Sequence, residues 1–334
     1  MRRGAGSAAG RESSAGAPRR EQTAEHITGH ITGHITGHIT WQPAVGERVV
    51  DEHCRQRPAG PLHPYVAHYT GYRQRGVPPG RHRGLPSPFL TLIFTLDEPL
   101  VILAHPDPRQ PPGDFGALLG GLHSAPALIT HDGAQSGIQV ALRPLGARAL
   151  LGLPAGELAE IDVPAEAVLG GVCTELRARA VAAPGWPERF ALLDEILLRL
   201  MTRAGPPRLE PRVAPEVGWA WRQMLASGGT LRITDLAAET GWTGRYLTSR
   251  FRTEIGLTPK AAARVIRFDR ARHLLARRAR STGDGGYRLA DLAAACGYFD
   301  QAHLAREFRS LAGCPPSQWL TEEFRAEGAW RRLD

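Results

Sequence analysis

"ITDLAAETGWTGRYLTSRFRTEIGLTP" (Ile233–Pro259) recurs about 56 residues later as "LADLAAACGYFDQAHLAREFRSLAGCPP" (Leu289–Pro316). Both copies contain Asp-Leu-Ala-Ala, followed by a glycine and an aromatic residue. The second copy then has one extra residue, after which Leu, Phe, Gly and Pro return at matching positions. An internal repeat of this kind indicates that one small structural unit is used twice.

Each unit has the pattern of two short helices joined by a glycine turn. Gly241 and Gly297 lie where a left-handed residue would end the first helix. Thr243 and Asp300 are suited to cap the start of the second helix. The pattern therefore predicts two helix-turn-helix units, whose second helix can enter the major groove of DNA.

Helical periodicity predicts which side chains of the second helices face outward. Leu247 and Phe251 share one face in the first unit, as Leu304 and Phe308 do in the second. The opposite faces, with the start of the later helix, supply the candidate DNA-binding residues: Arg245, Thr248, Ser249, Arg252, Gln301, Ala302, Ala305, Arg306 and Arg309. Arginines and hydroxyls suit guanine edges and phosphates, whereas alanines suit thymine methyl groups or leave the backbone to make contact.

The segment between the units, "PKAAARVIRFDRARHLLARRA" (residues 259–279), reads as one long helix. Such a helix could hold the two recognition helices at a fixed separation. Neighbouring major grooves on one face of DNA lie about 34 Å apart. A single chain could then read two adjacent grooves without dimerising.

These features closely resemble the DNA-binding domain of AraC/XylS-family transcriptional regulators, over about residues 216–320. The signature G-[FY]-x-D-x-x-x-[LF]-x-R-x-F stands at Gly297–Phe308, and "PPSQW" follows. The first unit departs from the family pattern, because Ser249 occupies the usual arginine position of L-x-R-x-F. The resemblance implies a sequence-specific transcription regulator that binds double-stranded promoter DNA.

The first half of the chain reads as β-rich with trailing helices. "PFLTLIFTL" with "PLVILA", and "APALITH" with "GIQVALRPL", predict two hairpins, and a short strand should end at Gly71. Residues 164–182 and 186–204 have helical spacing of apolar residues. This half resembles the sensor-type domain found in many members of the family, which implies a small-molecule effector or homodimerisation.

The predicted fold class is α+β, with a β-rich N-terminal sensor-like domain followed by an all-α tandem helix-turn-helix domain. We expect a disordered, low-complexity tail over residues 1–60 and an effector or dimerisation domain over 61–205. A Pro-rich linker should span 206–215. The DNA-binding domain should then span 216–325.

Composition favours a cytoplasmic protein that contacts an acidic partner. No apolar run approaches the ~18 residues of a membrane span, and no apolar core follows the basic N-terminus as in a secretory signal. Four scattered cysteines indicate reduced thiols. Residues 228–334 contain 18 Lys and Arg against 12 Asp and Glu, which is +6 of the net charge of +8. This bias agrees with DNA binding.

The tract "HITGHITGHITGHIT" (residues 26–40) spaces its histidines as a helical metal site would. Its Ile, Thr and Gly disfavour that helix, so we expect adventitious nickel or zinc binding at most. The remaining histidines lack the clustering of a metal centre. The sequence predicts no metal site and no cofactor.

An enzyme remains the alternative function, namely a β-rich catalytic domain with a helix-turn-helix appendage, as in alkyl-transfer DNA-repair proteins. That chemistry requires a reactive thiolate or a cysteine-rich zinc site. Cys54 and Cys173 have no neighbouring cysteine and no motif. The sequence therefore predicts no catalytic residues and favours the regulator.

Overall fold

The first half of the chain forms ten strands in the computed structural model, which describes residues 49–203, 213–282 and 288–324. The strands are β1 Val50–Gln56, β2 Val66–Arg75, β3 Gly80–Gly84, β4 Leu90–Thr95, β5 Leu100–Ala104, β6 Gly113–Phe115, β7 Ala117–Gly120, β8 Ala127–His131, β9 Gln135–Leu142 and β10 Asp162–Pro164. They build a six-stranded sheet in the order β1-β2-β9-β4-β7-β10 and a four-stranded sheet in the order β3-β8-β5-β6. Their pairings are antiparallel.

Both predicted hairpins were wrong, although the strands themselves form. β4 pairs with β7 and β9, whereas β5 pairs with β6 and β8 in the other sheet. The connection from β8 to β9 likewise passes from one sheet to the other. Alternation of apolar residues specifies which face of a strand is buried, but not which strand pairs with it. The short loops are therefore corners between two sheets, and the sheets face each other across an interior space.

The boundary of the expected N-terminal tail was also wrong. Val50–Gln56 forms β1 and pairs with β2 along its whole length, so order begins before residue 61. The strand is mostly polar, so it has no apolar pattern that would reveal it in the sequence. Backbone hydrogen bonds to β2 hold it at the edge of the sheet. The histidine tract lies outside the described residues.

Eleven α-helices lie within the described residues. They are α1 Ala147–Leu151, α2 Glu166–Leu169, α3 Gly171–Ala182, α4 Trp186–Arg203, α5 Pro215–Ala226, α6 Ile233–Glu239, α7 Gly244–Ile255, α8 Pro259–Thr282, α9 Leu289–Ala295, α10 Gln301–Ala312 and α11 Pro316–Phe324. One continuous set of buried side chains joins the large sheet to α4, α7, α8 and α10. In the described part of the chain no helix is long and apolar enough to cross a membrane.

Gly71 does not end a strand as predicted, because β2 continues through it to Arg75. The indole of Trp186, at the start of α4, packs directly over Gly71. A Cβ atom at position 71 would lie 2.3 Å from Trp186 Cε3. The missing side chain is thus what allows α4 to approach the large sheet.

Gly71→Ala should destabilise the protein by about 1–3 kcal/mol, because the new methyl group overlaps the half-buried indole ring of Trp186. Gly60→Ala is the matched control, since a Cβ atom there meets nothing within 4 Å. Urea unfolding followed by tryptophan fluorescence measures both. Equal midpoints for the two variants would show that the Trp186 contact does not constrain position 71.

Candidate DNA-binding surface and ligand cavity

The first helix-turn-helix unit consists of α6 and α7. Gly241 has φ +68° in the turn, as predicted for a left-handed residue. The Thr243 side chain accepts a hydrogen bond from the backbone N–H of Tyr246 at 3.2 Å and so caps α7. Leu247 and Phe251 are fully buried, and Phe251 packs against Trp221 of α5. These local features fix the start and the rotation of α7.

The second unit, α9 and α10, repeats this arrangement. Gly297 has φ +74°, and the Asp300 carboxylate accepts a hydrogen bond from the His303 backbone N–H at 2.6 Å. Leu304 and Phe308 are fully buried. Both predicted helix caps are therefore confirmed.

The nine predicted DNA-binding residues lie on the outward faces of α7 and α10. Seven are exposed, and the other two, Thr248 and Ala305, are half-buried. The Thr248 hydroxyl donates to the Gly244 carbonyl at 2.7 Å, so one of its hydrogen-bonding positions is already occupied. Within the described residues, the arginines of this set form no ion pair. They are Arg245, Arg252, Arg306 and Arg309.

The inner face of α7 is joined to the β-rich half by a buried ion pair. Arg148 of α1 donates from Nε and Nη2 to the two carboxylate oxygens of Glu254, at 2.8 and 3.0 Å. The Glu254 side chain is 1% exposed. Bidentate geometry of this kind is the strongest arrangement open to an arginine and a carboxylate.

A second contact between the β-rich half and α7 uses two glycines. A Cβ atom at Gly156 would lie 2.4 Å from the Thr253 carbonyl oxygen, at the last turn of α7. Gly256 ends α7 with φ +96° and faces the Ala155 carbonyl oxygen. The two backbones approach each other more closely than any side chain would allow. We call the ion pair and this contact together the α7 seam.

The other recognition helix is held by α8 instead. Arg264 Nε lies 3.1 and 2.8 Å from the carboxylate oxygens of Glu307, and Arg264 Nη2 donates to the Ser310 hydroxyl. The rings of Phe268 and Phe308 meet edge to face with centroids 4.9 Å apart. α8 is thus more than a spacer, because its own side chains contact α10 and hold it in place.

A cavity of about 600 Å³ lies between the two sheets and α8. Its apolar wall comes from both sheets and consists of Ile93, Leu100, Ile102, Leu118 and Ile129. α8 contributes Asp269, Arg270, Arg272, His273 and Arg277 to the lining. Both halves of the chain therefore build this space.

The lining of the cavity is rich in cationic groups. Five arginines contribute to it, with only two carboxylates, Asp162 and Asp269. Asp162 is hydrogen-bonded to buried His105 at 2.7 Å, and Asp269 accepts from Arg272 at 2.6 Å. Each of the two acids is thus already engaged by a neighbouring side chain.

His68 of β2 and His273 of α8 belong to the same lining. Burial lowers the pKa of His68 to about 4, and the positive charge of Arg55 adds to the effect. Burial also lowers the pKa of His273, with a further contribution from Arg272. Both imidazoles are therefore neutral near pH 7.

Two family models match the chain. Residues 236–322 match one described as "Helix-turn-helix domain", of the AraC type, and residues 55–164 match "Domain of unknown function (DUF6597)". The first match spans both repeats and α8. The chain therefore carries an AraC-type helix-turn-helix domain and is a DNA-binding transcription regulator. No curated protein matches the sequence.

Three solved structures resemble the regulator only distantly. ToxT from Vibrio cholerae is 12% identical, with 76% of this chain and 97% of that chain covered and a TM-score of 0.42. The C-terminal domain of AraT from Geobacillus stearothermophilus is 22% identical, covers 33% of this chain and 86% of that chain, and has a TM-score of 0.28. The AraC-like activator CuxR is 14% identical over 60% of this chain and 79% of that chain, with a TM-score of 0.27.

Sequence reasoning missed two sets of residues in this regulator. It treated α8 as a spacer and so overlooked its cavity-facing side chains. It also left out Tyr246 and Phe299, which are 51% and 92% exposed at the starts of the two recognition helices. The repeat did not reveal this exposure, because it shows only which apolar side chains of each recognition helix are buried. Both residues come before the first of those side chains.

Arg148→Met should destabilise the regulator by about 3–5 kcal/mol, because it leaves the Glu254 carboxylate buried without a counter-ion. Replacing both members, Arg148→Met with Glu254→Met, should recover most of that loss. Urea unfolding of the two single variants and the double variant gives the coupling energy. Additive effects would mean that the two side chains do not stabilise each other.

Proposed function

We propose that the regulator binds promoter DNA by inserting α7 and α10 into adjacent major grooves of one duplex. Four outward arginines without ion-pair partners in the described structure carry this proposal. Arginine neutralises phosphates and releases condensed counterions, which supplies affinity that depends on salt. Its planar fork also matches the O6 and N7 atoms of guanine, which supplies specificity.

The spacing of the two recognition helices, α7 and α10, supports contact with one duplex. α8 has 24 residues and is therefore about 36 Å long. One turn of B-DNA is about 34 Å, so a helix of this length is suited to bridge successive grooves. Homodimerisation is not required for this mode. Sedimentation of the protein with and without DNA would decide the number of copies bound.

Arg252→Ala and Arg306→Ala should each weaken binding to a selected duplex by about 1–3 kcal/mol. Each should also reduce the slope of log affinity against log salt by about one unit if the arginine contacts phosphate. Fluorescence anisotropy at several salt concentrations measures both quantities. Arg109→Ala is the matched control, because its side chain is 88% exposed in the β-rich half. Losses no larger than in the control would contradict the proposed face.

We infer that the cavity takes a small-molecule effector. Its apolar wall and cationic lining have the mixed character of a ligand site, and both halves of the chain contribute to it. A ligand bound in the cavity would contact α8, which also packs against α10. Ligand binding in the cavity would therefore be coupled to the second recognition helix, α10, through α8.

Ile102→Trp should fill the cavity and remove effector binding. A thermal-shift screen of small metabolites should yield compounds that raise the Tm of the wild type but not that of Ile102→Trp, because a bound ligand stabilises the folded state. Val101→Trp is the control, since Val101 lies on the same strand but does not line the cavity. Compounds that stabilise the Ile102→Trp variant equally would place the effector elsewhere.

We propose that the regulator has no catalytic activity of its own and works beside DNA in the cytoplasm. The alkyl-transfer alternative needs an accessible thiolate. Cys173 is fully buried, and burial raises the pKa of its thiol to about 12. Cys296 and Cys314 are buried as well. The three buried environments favour small packed side chains over nucleophiles, which leaves half-buried Cys54 as the one thiol that the alkyl-transfer alternative would have to use.

A further inference from the structure

The most exposed large apolar side chain of the described residues is Phe299, at 92%. It lies in the turn of the second unit, directly before the N-cap residue Asp300. The Phe299 backbone N–H donates to His303 Nδ1 at 3.3 Å, so the main chain at this position is tied to the first turn of α10. The ring is therefore presented to solvent from a fixed backbone.

Phe299 is also the residue that distinguishes the two units. The first unit passes from Trp242 directly to its N-cap, whereas the second places Phe299 between Tyr298 and Asp300. Tyr246, the exposed aromatic of the first reader, packs edge to face on Trp242 with centroids 4.8 Å apart. Phe299 is far more exposed than Tyr246, so its ring has more surface free for an outside partner.

At two outward positions near Phe299, α10 has an apolar residue where α7 has a polar one. Ala302 is exposed and Ala305 half-buried, at positions where the first reader has Arg245 and Thr248. Arg306 is exposed one turn further along. An apolar leading end followed by arginines matches a base edge that offers a methyl group, with phosphates beside it.

We propose that Phe299, together with Ala302, reads the 5-methyl group of thymine in the half-site bound by α10. In the major groove, thymine alone offers a methyl group, and Phe and Ala are side chains that contact it. The proposal rests on DNA binding through α10. It adds a base preference, thymine, and a residue outside the repeat-derived set.

The test uses a duplex selected by the wild-type protein from a random library. Each thymine is replaced in turn by deoxyuracil, which removes the methyl group and keeps the base-pairing edge. For the wild type, one or two positions in a single half-site should lose affinity by roughly three- to fivefold. Phe299→Ala should lose about tenfold on the unmodified duplex and show no further loss at those positions.

Phe299→Leu keeps an apolar side chain and should retain part of the sensitivity to deoxyuracil. Val181→Ala is the control, because Val181 is 50% exposed on α3, outside the readers. The salt dependence should be the same for all variants, since no charge changes. The proposal is overturned if no thymine responds, or if Phe299→Ala remains as sensitive as the wild type. Failure of the wild type to select any duplex would instead refute DNA binding itself.

Discussion

Glu254 is carried by the first recognition helix but is buried against the β-rich half, where Arg148 holds both its oxygens. A buried carboxylate is tolerated only with a well-placed counter-ion, so α7 is fixed to that half in one orientation. The glycine contact between Gly156 and the end of α7 adds a steric constraint at the same place. The direction in which α7 presents its arginines therefore depends on the folded state of the β-rich half.

The second recognition helix is held differently, through Arg264 and Phe268 of α8. α8 also lines the cavity. The two recognition helices, α7 and α10, are therefore attached by different elements to the region around the cavity in which a ligand would bind. α7 is attached through α1, and α10 through α8. A change in the cavity is thus positioned to alter the relation between the readers without unfolding either. Allosteric control of this type requires two arrangements that a ligand distinguishes by its contacts.

Local features of the fold were predictable, and non-local ones were not. The turn glycines, the caps Thr243 and Asp300, and the outward arginines follow from side-chain chemistry within about a dozen residues. The strand pairings do not, because a strand's own pattern leaves its partner open. The Arg148–Glu254 pair joins residues 106 apart in the sequence, and no spacing rule connects them. The cavity was not predictable from the sequence either, because its lining is complete only when α8 packs against the two sheets.

We propose that one chain places both recognition helices in successive grooves on the same face of a duplex. Ethylation interference on a selected duplex maps the phosphates that the protein must contact, whatever the base sequence. Two clusters of interfering phosphates should lie on one face, with centres about 10 base pairs apart, at one protein chain per duplex. A single cluster, or two clusters on opposite faces of the helix, would contradict it.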